Sequence, residues 1–179
     1  NLSRFNIRLR ERRNFFLDGG DLFTFGIDGR RTDPPSGKLS PFFSRRMGLD
    51  SEGAPISINY AAKLTGRIGN WNLGMLHVNE DRNLGSANSS VARVSYNIGG
   101  LSSVGMITTY GNSISEATNL VTGVDLNLVT SKFNVNKNVA LMLFGIKSKT
   151  QNISGDDVTW GALLNYPNDR INFKLGHQE

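Results

Sequence analysis

The chain has 179 residues, no Cys, 38% hydrophobic residues and a mean hydropathy of -0.29. A disulfide scaffold and a thiolate metal site are therefore excluded, and no run approaches the ~18 apolar residues of a spanning helix. Its 20 Lys+Arg against 15 Asp+Glu give a net charge of +5, spread along the chain and not gathered among aromatics, which argues against nucleic acid as a partner.

Asn1–Arg10 sets Phe5, Ile7 and Leu9 against Arg4, Arg8 and Arg10. Side chains alternate across a strand, so this pattern predicts a barrel strand over 1–10. The same stretch lacks the apolar core of a secretory signal. The chain begins and ends within strand-like pattern, and the reading expects an internal piece of a larger polypeptide. Residues 11–55 break the alternation with Gly19-Gly20, Pro34-Pro35, Gly37 and Pro41. This is turn chemistry, and it predicts a long loop, plug-like or external. Phe15-Phe16, Phe23, Phe25 and Phe42-Phe43 predict that the loop is packed.

From Pro55 the chain reads as a meander of about eight transmembrane strands over 56–179. Ile56, Ile58, Tyr60, Leu64 and Ile68 are expected to face lipid, with Lys63 and Arg67 on the opposite, wet side. The first hairpin turns at Gly69-Asn70 and returns through Trp71, Leu73 and Met75. A polar loop is expected over Asn79–Ser89. The second hairpin carries Val94 and Tyr96 outward and Arg93 inward, turning at Gly99-Gly100. In the third, Leu126 faces out and Asp125 faces in, while Val139–Ile146 is apolar on both faces and its inward side stays open. The fourth turns at Pro167-Asn168-Asp169.

Two asymmetries favour a membrane. The turns after Ile68, Ile98 and Tyr166 are short while the other loops are longer, as in outer-membrane barrels. Tyr60, Trp71, Tyr96, Tyr110, Trp160 and Tyr166 lie near strand ends, where amphipathic rings suit the headgroup level. The predicted fold class is all-β: an antiparallel up-and-down transmembrane β-barrel, part of a larger barrel, with a long loop after the first strand. A soluble β-rich binding domain is the alternative, since a sandwich strand also alternates.

The segments Asn1-Leu2-Ser3-Arg4-Phe5 and Glu11-Arg12-Arg13-Asn14-Phe15-Phe16-Leu17-Asp18-Gly19 carry a resemblance, as do Pro41-Phe42-Phe43-Ser44-Arg45-Arg46-Met47-Gly48, Ala62-Lys63-Leu64-Thr65-Gly66-Arg67 and Trp71-Asn72-Leu73-Gly74. Together they resemble the C-terminal barrel domain of Bacteroidota-type envelope proteins grouped as domain-of-unknown-function family 5916. That domain typically follows a periplasmic domain like the family 9 carbohydrate-binding modules. The resemblance spans Asn1–Leu76, departs at Arg13-Asn14 where the family more often has a Pro, and implies no catalytic residues. It implies the outer membrane of a Gram-negative bacterium. The partners implied are outer-membrane lipid, lipopolysaccharide and envelope proteins or lipoproteins, with glycans reached through the domain that this chain lacks.

No catalytic constellation and no metal or cofactor motif stands out. His77 and His177 are far apart and lack a placed nucleophile. Asp18, Asp21 and Asp28 lack the register of a calcium loop. Arg12, Arg13, Arg30, Arg31, Arg45 and Arg46 crowd the long loop opposite Asp18, Asp21, Asp28, Asp33 and Glu52. Two readings stay open for them: a salt-bridged plug, because crowded charges must pair, or an anionic site for lipopolysaccharide, acidic glycan or phosphate. Lys63, Arg67, Arg93 and Asp125 are expected to face the lumen and tune its ion preference. Catalysis within this segment is not expected; an envelope hydrolase with its active domain elsewhere is the alternative.

Overall fold

The computed structural model describes residues 11–26, 41–42, 44–50, 53–82, 85–111, 118–133, 137–153, 157–168 and 172–178. The expected strand at 1–10 lies outside the described residues, as do Arg30 and Arg31 and the side chain of Arg45.

The protein is all-β. Eight antiparallel strands follow one another in a single up-and-down sheet: β1 Ile58–Ile68, β2 Trp71–Arg82, β3 Gly85–Gly99, β4 Ser102–Tyr110, β5 Asn119–Phe133, β6 Lys137–Thr150, β7 Val158–Pro167 and β8 Asn172–Gln178. Every strand pairs with its sequence neighbours, and β1 and β8 are the two edges among the described residues. Several strands exceed the usual ~5–6 residues of globular sheets. Gly69, at φ 56°, makes the expected tight turn with Asn70.

The two faces differ. One face is covered by residues 11–26, 41–42 and 44–50, which hold one helical turn, α1 (Asn14–Leu17), and two short 3-10 turns. Phe16, Phe23, Phe25 and Met47 from this segment are buried with Leu76, Val78, Val91, Ile107, Phe144 and Ile146 of the sheet. At ~1.5–3 kcal/mol per buried large side chain, this cluster is the main apolar force holding the segment to the wall. The described parts of the long loop thus pack against one face of the sheet. The other face is open and carries Leu64, Ile68, Trp71, Val94, Met106, Val124 and Leu143, all exposed. The registers settle β6: Ala140, Met142, Phe144 and Ile146 lie on the covered face, Val139, Leu141 and Leu143 on the open one.

Three expectations change. Ile58 does not lie on the open face. A bulge between Ile58 and Tyr60 shifts the register, and one extra residue turns Ile58 onto the covered face, where it packs against the buried cluster. Ile56 precedes β1; its N–H bonds Gly48 O at 3.0 Å and it is half-buried. The loop expected over Asn79–Ser89 is strand: β2 runs to Arg82 and β3 starts at Gly85. Polar side chains on both faces hide a strand from hydropathy, yet the ladder from Asn79–Asn88 to Arg82–Gly85 pairs the backbone fully. The turn asymmetry is therefore weaker than the sequence suggests, because only two residues separate β2 from β3.

Candidate functional site

Lys63, Arg67, Glu80 and Asp125 on the covered face each bond the covering segment, and Arg93 reaches it through Asp125 and Phe25. Arg93, 5% exposed on β3, donates to both carboxylate oxygens of Asp125 on β5, at 2.5 and 2.9 Å. A bidentate guanidinium–carboxylate pair is the strongest ordinary form of this contact. Asp125 also accepts the Gly26 N–H at 3.2 Å, and the guanidinium lies 5.4 Å from the Phe25 ring centre. Lys63, on β1, donates to the carbonyls of Phe15 and Asp18 at 2.5 and 2.7 Å. These carbonyls lie at the end of α1, where Asp18 turns to extended backbone and the left-handed Gly19 begins the next turn. Arg67 pairs with Asp21, both more than half exposed, so this contact contributes little. Glu80 is fully buried and accepts the Gly48 N–H at 2.7 Å.

Glycines on the covered face make the seats. A Cβ on Gly74 would meet the Phe23 ring at 3.0 Å, and one on Gly123 would meet the Phe25 ring at 2.6 Å. A Cβ on Gly105 would lie 2.6 Å from the Arg93 guanidinium. Any larger residue at these places displaces the segment or its ion pair.

Within the segment, Arg13 spends its guanidinium internally. It donates to Glu11 and to the carbonyls of Met47 and Ser44, at 2.7–2.9 Å, and stacks 4.2 Å from the Phe16 ring centre. The Arg13 guanidinium holds the Glu11 carboxyl down at a pKa of about 2, helped by the Arg13 and Arg12 backbone N–H groups and the Ser44 hydroxyl and opposed by burial. Arg12 is exposed and Arg46 half-buried. The six-arginine cluster is thus represented here by Arg13, a structural clasp, with Arg12 and Arg46 nearer solvent.

Under the segment, towards the short turns, lies a cavity of about 940 Å³ whose ceiling includes Asp21, Phe25 and Gly26. Its wall carries amides and hydroxyls on five strands, Asn72, Ser95, Asn97, Ser103, Asn127 and Asn165, interleaved with Leu101, Val129, Ala140 and Met142. Asn72 donates to Ser95 and Asn97, both at 3.3 Å. Among the described residues, no group of three or more His, Cys, Asp or Glu converges as a metal site would require.

The open face has its own order. Ile68, Trp71, Tyr96, Val104, Leu126, Leu143 and Ala162 form one continuous cross-strand row, and Leu128, Leu141, Leu164 and Leu175 another. Thus Tyr60, Leu64, Ile68, Val94, Tyr96 and Leu126 lie on the face expected from the alternation. Rings line both borders. Towards the short turns are Trp71 against Tyr96 (4.8 Å) and Tyr166 between Phe133 (6.5 Å) and Phe173 (6.3 Å). Towards the longer loops are Tyr60, which meets His77 at 5.8 Å, Tyr110, and Trp160, which meets His177 at 4.9 Å.

These borders are oblique to the strands. The Trp160 row reaches β1 at Gly66, six residues from Tyr60. The border therefore shifts by about one residue per strand, and with ~3.3 Å per residue and ~4.8 Å between strands this equals a strand tilt of roughly 35°. On β6 the first open-face charges are Lys137 and Lys147, bracketing Val139, Leu141, Leu143 and Gly145. Ten residues at that tilt make an uncharged band about 27 Å tall.

No family model, no curated protein and no solved structure matches this chain.

Proposed function

We propose that this chain is the membrane-embedded part of an outer-membrane β-barrel whose lumen is occupied by its own 11–26, 41–42 and 44–50 segments. Its role is structural or conductive in a Gram-negative envelope, with no chemistry carried by this segment. One observation carries the reading: an uncharged apolar band with aromatic rings at both borders, on one face only, oblique to the strands. Outer-membrane barrels have an apolar band ~25 Å tall, aromatic girdles and strands tilted ~35–45°. A soluble monomer rarely leaves a contiguous apolar patch beyond a few hundred Å², and this band crosses all eight strands.

Hydrocarbon tolerates no open sheet edge. The reading therefore requires partners for β1 and β8, either each other or the further strands of a larger barrel. Outer-membrane lipid is the partner of the open face, and lipopolysaccharide phosphates suit Lys147 and Lys149, successive exposed open-face residues of β6 at the loop-side border. The resemblance to the envelope barrel family points the same way and would bring protein partners and glycans through neighbouring domains.

The test uses the two tryptophans, Trp71 and Trp160, both on the open face. In vesicles of brominated lipid their fluorescence is quenched relative to unbrominated vesicles, and the folded protein migrates differently from the boiled one. A detergent-free monodisperse protein with bromine-insensitive tryptophans would instead establish the soluble β-rich domain.

A further inference from the structure

We propose that residues 14–26 form a releasable plug, so that the barrel is a gated conduit for small polar solutes. This rests on the membrane-barrel reading above and adds a function to it. The cavity of about 940 Å³ reaches from the short-turn side up to a ceiling made by this segment. Its wall is about half polar, with amides and hydroxyls from five strands, and the two guanidiniums that line it, Arg67 and Arg93, are paired with Asp21 and Asp125. That surface suits water and small hydrophilic solutes. The segment blocks its upper end.

The segment is attached to the wall in a way that separates into distinct, breakable parts. It contributes no strand to the sheet. Its apolar side chains rest on wall glycines at Gly74 and Gly123 without crossing the sheet. Its polar attachments are a few charge-assisted bonds: Asp125 to the Gly26 N–H, Lys63 to the Phe15 and Asp18 carbonyls, and Arg67 to Asp21. Asp125 is central, because the same carboxylate binds Arg93 and the Gly26 amide. Losing the pair removes the plug's deepest polar anchor and the cation beside Phe25 together. The sheet's own ladder is untouched, since neither side chain takes part in it. An element held by side chains alone, beside a scaffold held by its backbone ladder, opens more readily than the scaffold does.

The experiment is planar-bilayer conductance, in potassium chloride, of the protein with every strand that closes its barrel present. The chain has no Cys, so an engineered lock is clean. A Cβ on Gly19 would lie 3.2 Å from the Thr65 Cβ, a few tenths of an ångström inside the ~3.5–4.5 Å of a disulfide, so the segment must move out slightly to close it. The backbone at Gly19 is left-handed (φ 64°), and the reduced double-cysteine form controls for that strain. The parent is expected to be silent or nearly so. Arg93→Ala/Asp125→Ala should show discrete conductance steps while keeping the heat-modifiable shift. Adding Gly19→Cys/Thr65→Cys should abolish the steps on oxidation and restore them on reduction.

A double-alanine variant that inserts, keeps the shift and stays silent overturns the plug while leaving the barrel reading intact. So does a parent carrying Gly19→Cys/Thr65→Cys that conducts fully when oxidised. If the double-alanine variant loses the shift, the lock is read in the otherwise unmodified protein under urea too dilute to abolish the shift. Steps should then appear only in the reduced form, and steps persisting in the oxidised form overturn the proposal. Failure of the parent to insert or to show the shift rejects the barrel itself.

Discussion

Gly123→Ala is the sharpest probe of the seat beneath the covering segment. The new methyl would sit 2.6 and 2.9 Å from two carbons of the Phe25 ring and 3.0 Å from Ile146 Cγ1. Contacts that short force movement, and overpacking of this kind costs ~1–3 kcal/mol. Phe25→Ala alone empties the seat and costs ~3–5 kcal/mol. In the double variant the methyl enters space the ring has left, so its cost is close to that of Phe25→Ala alone. The coupling is then ~1–3 kcal/mol, well outside the ~0.3–0.5 kcal/mol of independent sites. The observable is hydrogen exchange at the Phe16, Leu17 and Thr24 amides, which bond within the segment and report its local opening separately from the sheet. Gly145→Ala is the control: nothing lies within 4 Å of its Cβ on the open face, and protection should not fall. Additive costs, or equal effects at Gly123 and Gly145, would refute the packing of Phe25 against β5.

Other outcomes follow from the same geometry. Leu143→Arg, midway between Lys137 and Lys147 on β6, should destabilise the protein in lipid by ~2–4 kcal/mol, measured by urea titration in vesicles; Ser103→Arg, on the cavity wall, should cost clearly less. Glu11 titrates at about 2 in the folded protein against 4.5 ordinarily. A depressed carboxyl pKa contributes stability that is full above pH ~4.5 and lost as pH falls towards ~2. Exchange protection of residues 14–18 should therefore decline across that window, and Glu11→Gln should flatten the decline. Lys63→Met leaves the Phe15 and Asp18 carbonyls without their cation and should raise proteolytic cleavage at 14–20, while Lys63→Arg should retain much of the protection.

Much of this was legible in the alternation. Tyr60 to Ile68, Val94 with Tyr96, and Leu120 to Leu128 show a period of two that fixes their face without any contact information. Gly69-Asn70 announced its turn. The misreadings have physical causes. Ile58 obeys the alternation in sequence and breaks it in space, because a bulge carries no hydropathy mark. The polar strand ends at Asn79–Arg82 and Gly85–Ser89 rise beyond the apolar band, where neither face needs to be oily. On β6 both faces are apolar because the covering segment brings its own hydrophobes to Phe144 and Ile146. A signal for that segment was present: Gly74 and Gly123 occupy inward positions on strands, where a missing side chain invites a close neighbour, and the preceding loop is rich in Phe. Which Phe meets which Gly depends on the chain's path, which composition does not encode. Likewise Arg93 and Asp125 both read as inward, but only the β3–β4–β5 register, through Gly105, brings them together.

The account depends most on which solvent each face of the sheet meets. Single nitroxide labels placed in turn at residues 92 to 97 of β3, in lipid vesicles, measure this directly. Oxygen accessibility should peak at Ala92, Val94 and Tyr96, and accessibility to a water-soluble nickel reagent should rise instead towards Asn97 at the cavity. A flat profile, or open-face labels reached equally by the nickel reagent, would contradict a bilayer on that face.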